Sequence, residues 1–346
     1  MSRMSPAQIK LAACLKMNPA LFAQAIQEAS VGVYHRYQIP KGDGRFREIC
    51  APSEAIKAAQ RALLDQLLSQ VPLSPYAHGF APGRGIISNA KVHAPTARAV
   101  LSADIQDAFP SVSSGRVRQT LEWRVGPILK RECPTLSRKE RTSLLDDLTT
   151  LSTLDGALPQ GSPSSGMILN LACARLDKLI ARLLRRMKLP AGRYSRYADD
   201  LTISSSEPIP ETFTAALRRA VQESGFRLNA RKVHCYRERD RAIVICGVRL
   251  QSGAARGELA LPRETLKRYR ALFDHAISCP AEQLPLLQRQ QIQGNIAFLK
   301  QVYSRCPKIL QRPLERLLVV HGAWLQPNKA RKDELRPRFT IYQDLG

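Results

Sequence analysis

Two adjacent aspartates, Asp199 and Asp200, lie inside Arg196-Tyr197-Ala198-Asp199-Asp200-Leu201-Thr202-Ile203, and this stretch restricts the fold more than any other. The flanks, Gly192-Arg193-Tyr194-Ser195 before and Leu201-Thr202-Ile203-Ser204 after, are rich in the aromatic and β-branched residues that favour strands. In one continuous strand the two acids would point to opposite faces. They share a site only at a tight turn between two strands, so the pattern predicts a β-hairpin with the pair at its tip. Two carboxylates held that close repel each other unless a cation neutralises them. Hard oxygen ligands of this kind select Mg²⁺ or Mn²⁺. A solvated Asp-Asp turn fits the eight residues equally well, and the rest of the chain has to decide.

A third carboxylate is available. Ala97–Ser102 reads as a short apolar strand that runs into Ala103-Asp104-Ile105-Gln106-Asp107-Ala108-Phe109-Pro110. An acid at the end of a buried strand is costly unless it is used. Leu158-Pro159-Gln160-Gly161-Ser162-Pro163 reads as a turn entering a helix capped by Ser164 or Ser165. Its glycine allows close backbone approach to a ligand, and Gln160 can hydrogen-bond a nucleotide. Nearer the N-terminus, Tyr37–Pro40 and Phe46–Cys50 flank Lys41-Gly42-Asp43-Gly44, which has turn chemistry. That hairpin carries Lys41, Arg45 and Arg47, cations that can close over a triphosphate or form a solvated ribbon.

The charge balance points to a polyanion. Lys+Arg 53 against Asp+Glu 29 gives +24 over 346 residues, which favours nucleic acid as partner. Seven basic residues and no acid lie between Lys178 and Ala198, and from Ala255 onward there are 16 Lys/Arg against 8 Asp/Glu. The eight cysteines show no CxxC spacing and no Cys/His cluster, so zinc is not expected and a reduced cytoplasmic setting is. No signal-peptide pattern or membrane-length apolar run is present, so no membrane partner is expected.

The remaining segments read as helices. These are 1–30, an amphipathic 53–70 capped by Ser53, a mixed 115–150, the Ile168–Leu183 stretch and 208–225, with a strand pair around Ala242–Leu250 and a basic helical tail. Tyr76–Gly85 is a loop with three glycines, and in Asn89-Ala90-Lys91-Val92-His93 the helical spacing puts Asn89 and His93 on one face. A buried, satisfied histidine explains His93 as well as a ligand does.

Taken in order, Asp104 with Asp107 and Phe109, then Leu158-Pro159-Gln160-Gly161-Ser162-Pro163, then Tyr197-Ala198-Asp199-Asp200 resemble the palm motifs of reverse transcriptases. Tyr76–Phe80, Arg84 and the NAxxH of Asn89–His93 resemble the bacterial retron enzymes of that family. The resemblance covers roughly residues 35–250. One departure is Ile245-Cys246-Gly247 where retron enzymes usually carry Val-Thr-Gly, which bears on recognition of the enzyme's own RNA rather than on polymerisation.

The resemblance implies an α+β right-hand fold of fingers, palm and thumb. It places an N-terminal helical segment at 1–35, fingers at 36–96 and 113–150, palm at 97–112 and 151–252, and a basic helical thumb at 253–346. It implies RNA-directed DNA polymerisation with two Mg²⁺ ions, or Mn²⁺, held by Asp104, Asp199, Asp200 and the Ile105 carbonyl. Lys41, Arg45, Arg47, Phe109, Gln160, Gly161 and Tyr197 would form the deoxynucleoside triphosphate site, with Phe109 under the sugar. Lys232 is placed as a proton donor to pyrophosphate or a plain phosphate contact. Asn89, His93, Arg263, Lys267, Arg268 and Arg270 would meet nucleic acid. The implied partners are a structured non-coding RNA serving as template and primer, its DNA product and an effector protein, in anti-phage defence. Group II intron-like or diversity-generating enzymes, and a non-catalytic RNA-binding protein of the same fold, are the alternatives.

Overall fold

The computed structural model describes residues 4–40, 44, 46–280 and 283–325. In chain order the elements are α1 (Pro6–Cys14), α2 (Pro19–Ser30), β1 (Tyr34–Pro40), β2 (Phe46–Pro52), α3 (Glu54–Gln66), α4 (Ile86–His93) and β3 (Ala99–Asp104). There follow α5 (Ser114–Arg124), α6 (Gly126–Glu132), α7 (Arg138–Ser152), α8 (Ser165–Ala172), α9 (Ala174–Arg186), β4 (Arg193–Tyr197), β5 (Asp200–Ser205) and α10 (Glu211–Glu223). The C-terminal part holds β6 (His234–Arg237), β7 (Val244–Ile245), β8 (Val248–Leu250), β9 (Leu259–Ala260), α11 (Arg263–Ser278), α12 (Leu286–Val302) and α13 (Lys308–Leu325). The mixture of helices and antiparallel sheet is the α+β class the resemblance implied. Among the described residues no helix is long and apolar enough to cross a membrane, and no disulfide forms.

The chain divides into two compact units. Of the described residues, the first contains those up to Gly85 and those from Ala97 to Arg237; the second contains Ile86–Thr96 and those from Glu238 to Leu325.

In the first unit an antiparallel sheet has the order β4-β5-β3-β6. Leu101 and Ala103 of β3 pair with Ile203 and Leu201 of β5, and all four are buried in one core with Ile180 of α9 and Phe213 and Leu217 of α10. Strand alternation then puts Asp104 and its register partner Asp200 on the other face. The first thirty residues form two helices rather than one. Lys16 turns left-handed at φ 54°, and Asn18 accepts from the Ala20 and Leu21 amides as the cap of α2, with Pro19 in its first turn. The expected hairpin β1–β2 is present, with Pro40 paired to Phe46 and Tyr34 to Pro52. Ser53 caps α3 as expected, its Oγ accepting from the Ile56 amide. The α8 cap is different. Ser164 stands at the N-cap position in a helical conformation and its hydroxyl makes no cap hydrogen bond.

In the second unit α4 packs on β7 and β8, and α11 packs against α12 and α13. Phe273, Ile292, Leu299, Leu310 and Leu317 form its core. His321 Nε2 donates to the Ala276 carbonyl at 2.7 Å and ties α13 to α11.

Candidate active site

The paired aspartates lie at a hairpin tip. Tyr197 of β4 pairs with Asp200 of β5, so Ala198 and Asp199 form a two-residue turn. Ala198 takes φ 55°, a left-handed conformation that costs about 1 kcal/mol for a residue with a Cβ. Three contacts hold it there. Arg196 Nη1 donates to the Ala198 carbonyl at 2.9 Å. The Ile105 amide donates to the Asp199 carbonyl at 3.0 Å and fastens the tip to β3. Gly79 approaches so closely that a Cβ there would stand 2.5 Å from the Ala198 nitrogen.

Arg196 is fully buried, and each of its guanidinium nitrogens donates to a partner. Nε and Nη2 donate to the two oxygens of Asp177, each at 2.9 Å, and Nη1 also donates to Asn170 Oδ1 at 2.9 Å. Tyr194 Oη donates to Asp177 at 2.7 Å. Asn170 in turn donates to the Gly79 carbonyl at 2.8 Å. Burial opposes the charge on Arg196, but its surroundings, Cys173, Asp177 and Tyr194 among them, raise its pKa above the ordinary arginine value. A buried charge pair of this quality fixes geometry more than it adds stability.

The tip opens on a cleft of about 700 Å³ lined by Arg47, Asp104, Ile105, Phe109, Gln160, Asp199 and Lys232 of the expected site. Asp200 is the register partner of Asp104 at the end of the sheet, where opposed side chains lie about 5 Å apart at Cβ. Asp199 is held above the usual carboxylate range by burial first and the charge of Asp104 second, with Lys232 and Arg47 pulling the other way. Asp200 is pushed up to about 7 by burial around it, then by Asp199 and Asp104, although its side chain keeps solvent-exposed surface. Lys232 Nζ sits 3.1 Å from Asp104 Oδ1. Among the described residues no three acids form a finished metal cage. The donor set nevertheless suits a divalent cation, because it consists of hard oxygens, and burial and the charge of Asp104 oppose the ionisation of Asp199 and Asp200.

Several expected residues take other positions. Lys41 and Arg45 lie outside the described residues. Gly161 does not line the cleft: at φ 118° a Cβ there would meet the Cys50 carbonyl oxygen and Ile49 Cγ2 at 2.9 Å. Its close neighbour is β2, to which the loop is also joined by the Cys50 amide donating to the Gln160 carbonyl at 2.7 Å. Tyr197 is half-buried beneath the tip. Asn89 and His93 are fully buried, and Asn89 Nδ2 contacts Cys246 Sγ at 3.3 Å, so neither side chain offers a surface to nucleic acid. Arg263, Lys267, Arg268 and Arg270 are exposed on α11, and Lys267 and Arg270 pair with Glu264 and Asp274.

Sequence reasoning missed Arg231, Arg36 and Asn229, which also line the cleft. Arg231 had a signal, since it adjoins Lys232. Phe109 is held by an edge-to-face contact with Phe80, centroids 6.1 Å apart at 81°. The Phe80 ring covers Gly166, where a Cβ would lie 2.4 Å from it.

Residues 39–250 match the family model described as reverse transcriptase (RNA-dependent DNA polymerase). The chain is 35% identical over 274 residues to the retron Mx65 reverse transcriptase of Myxococcus xanthus, covering 77% of this chain and 61% of that one. It is 32% identical over 286 residues to the retron Mx162 reverse transcriptase of the same organism, covering 77% and 57%. Against the retron Ec86 reverse transcriptase of Escherichia coli it is 27% identical over 293 residues, covering 84% and 82%. The chain thus spans about three-fifths of the length of the two Myxococcus relatives.

Proposed function

This chain belongs to the reverse transcriptase (RNA-dependent DNA polymerase) family, and we propose that it is a retron-type RNA-directed DNA polymerase that copies a structured non-coding RNA into DNA. The observation that carries this reading is the meeting of Asp104 and Asp199 in a cleft whose walls bear Arg47, Arg231 and Lys232, with Asp200 paired in register with Asp104. Asp104, Asp199, Asp200 and the Ile105 carbonyl would hold two divalent ions, Mg²⁺ by preference. Bound there, such ions stabilise the attacking and leaving oxygens of in-line phosphoryl transfer.

The chain's own residues do the rest. Arg47 and Arg231 meet the triphosphate as charge-assisted donors, Gln160 borders the nucleotide, and Phe109 lies under the sugar. Lys232, paired with Asp104, would serve as proton donor to departing pyrophosphate or as a plain phosphate contact. The same reading extends to a template RNA that also primes synthesis, and to a cytoplasmic role in anti-phage defence beside a separate effector.

Primer extension on an RNA template tests the activity. Synthesis is expected with Mg²⁺ and none with EDTA. Asp104→Ala and Asp199→Ala abolish it while RNA affinity holds, because affinity comes from basic surface. Near-wild-type extension by Asp199→Ala would overturn the assignment. DNA product that ribonuclease leaves joined to an RNA nucleotide would support the retron type, and DNA free of any such nucleotide would count against it.

A further inference from the structure

Helix α9 has two unlike faces. Leu176, Ile180 and Leu183 are buried in the core of the first unit, while Arg175, Lys178, Arg182, Arg185 and Arg186 are exposed. The five cations recur at helical spacing over about 16 Å of axis. The neighbouring helix α10, packed against α9, adds exposed Arg218 and Arg219. The one acid of α9, Asp177, is buried on Arg196 and does not soften this face. None of the seven cations forms an ion pair with a described residue, and none lines the cleft.

Like charges at this density repel one another and weaken the helix slightly, so the face gains from an anionic partner. We infer that the outer face of α9, with Arg218 and Arg219 of α10, is a docking surface for the phosphate backbone of a structured RNA, separate from the cleft that performs the chemistry. A membrane surface fits less well. Interfacial helices sink exposed apolar side chains into the headgroup layer, and none of the large hydrophobic side chains exposed in the structure lies on α9 or α10. Six of the seven cations are arginines, whose planar forks match phosphate oxygens in pairs. The choice of RNA rests on the function proposed above; the cationic face does not.

The test uses the full chain with Lys178, Arg182, Arg185 and Arg186 all replaced by Gln. All four are exposed, so the fold is retained, which circular dichroism checks. The probes are a labelled RNA hairpin with a fully paired stem and a DNA hairpin of the same sequence. RNA affinity is expected to fall at least tenfold, and the slope of log K against log salt to become shallower by about 3, from four lost phosphate contacts. Extension of oligo(dT) on poly(rA) at saturating template stays close to wild type.

A control replaces four exposed cations elsewhere in the first unit, Lys16, Lys130, Arg138 and Lys139, by Gln and is expected to lose much less. Unchanged RNA affinity and slope, an equal loss in the control, or a loss confined to the DNA hairpin would each overturn the inference. Absence of extension by the wild type would instead count against the polymerase reading, and the hairpin measurements would still decide this one.

Discussion

Arg196 Nη1 donates to the Ala198 carbonyl at 2.9 Å, closing a ring inside the hairpin that presents Asp199. The guanidinium is fully buried and anchored on α9 by Asp177. The position of the acidic tip is therefore set from behind, by a charge pair that never meets solvent.

Removing one partner of that pair exposes what it holds. Asp177→Asn keeps the shape but leaves Arg196 buried with its charge uncompensated, which costs about 3–5 kcal/mol. Urea unfolding monitored by circular dichroism reads the loss. A change below about 1 kcal/mol, the size of an exposed pair, would show that the guanidinium finds another anion.

The loop at Tyr76–Phe80 makes a second claim on the same tip. In Gly79→Ala the new methyl would lie 2.5 Å from the Ala198 nitrogen, a backbone atom that cannot rotate away. The tip must shift, and a displacement near 1 Å in the proposed catalytic site would cost up to about a hundredfold in rate. Gly85→Ala, which meets open space, serves as the control. Equal extension rates for both variants would remove Gly79 from the account.

Much of this site was legible in sequence because it rests on local rules. The hairpin followed from β-branched and aromatic flanks, Asp104 from an acid ending an apolar strand, and the α3 cap from Ser53 three residues before Ile56. Pro19 likewise marked the start of α2, a signal that reading residues 1–30 as one helix passed over. What stayed hidden depends on tertiary pairing. Arg196 read as one of seven cations in a basic run, but its partner sits 19 residues away on a helix and the charge is internal. Asn89 and His93 share a helix face as expected, yet that helix packs on β7 and β8 and the face is buried. Gly161 does need its freedom, but the backbone it meets is that of β2.

Acid stability should carry the mark of His78. Its side chain is almost fully buried, and burial first, then the charge of Arg84, lowers its pKa to about 4 from an ordinary 6.5. Between those values the unfolded chain binds a proton that the folded chain does not, so stability falls as pH drops through this window and is unaffected above it. His78→Gln removes the contribution. The difference in unfolding midpoint between wild type and variant is expected to change from pH 7 to pH 4 and to stay constant above pH 7. Parallel profiles would mean that His78 is protonated as readily folded as unfolded.

Sugar choice is the last expectation and rests on Phe109. The ring lines the cleft beside Asp107 and Ala108 and is fixed at its edge by Phe80, itself seated over Gly166. On the function proposed above, a rigid ring under the incoming sugar would reject a 2′-hydroxyl by collision, and deoxynucleotides would be preferred by exclusion rather than attraction. Phe109→Val should admit ribonucleotides and lower the discrimination ratio at least tenfold, equivalent to about 1.4 kcal/mol, with a smaller loss of deoxynucleotide incorporation. Phe80→Leu should lower the ratio less, because the gate remains but loses its support. Single-nucleotide incorporation with dGTP and GTP on one primed template measures both. If the ratio is unchanged in a folded, active Phe109→Val enzyme, the ring is a wall of the cleft and the discrimination lies elsewhere.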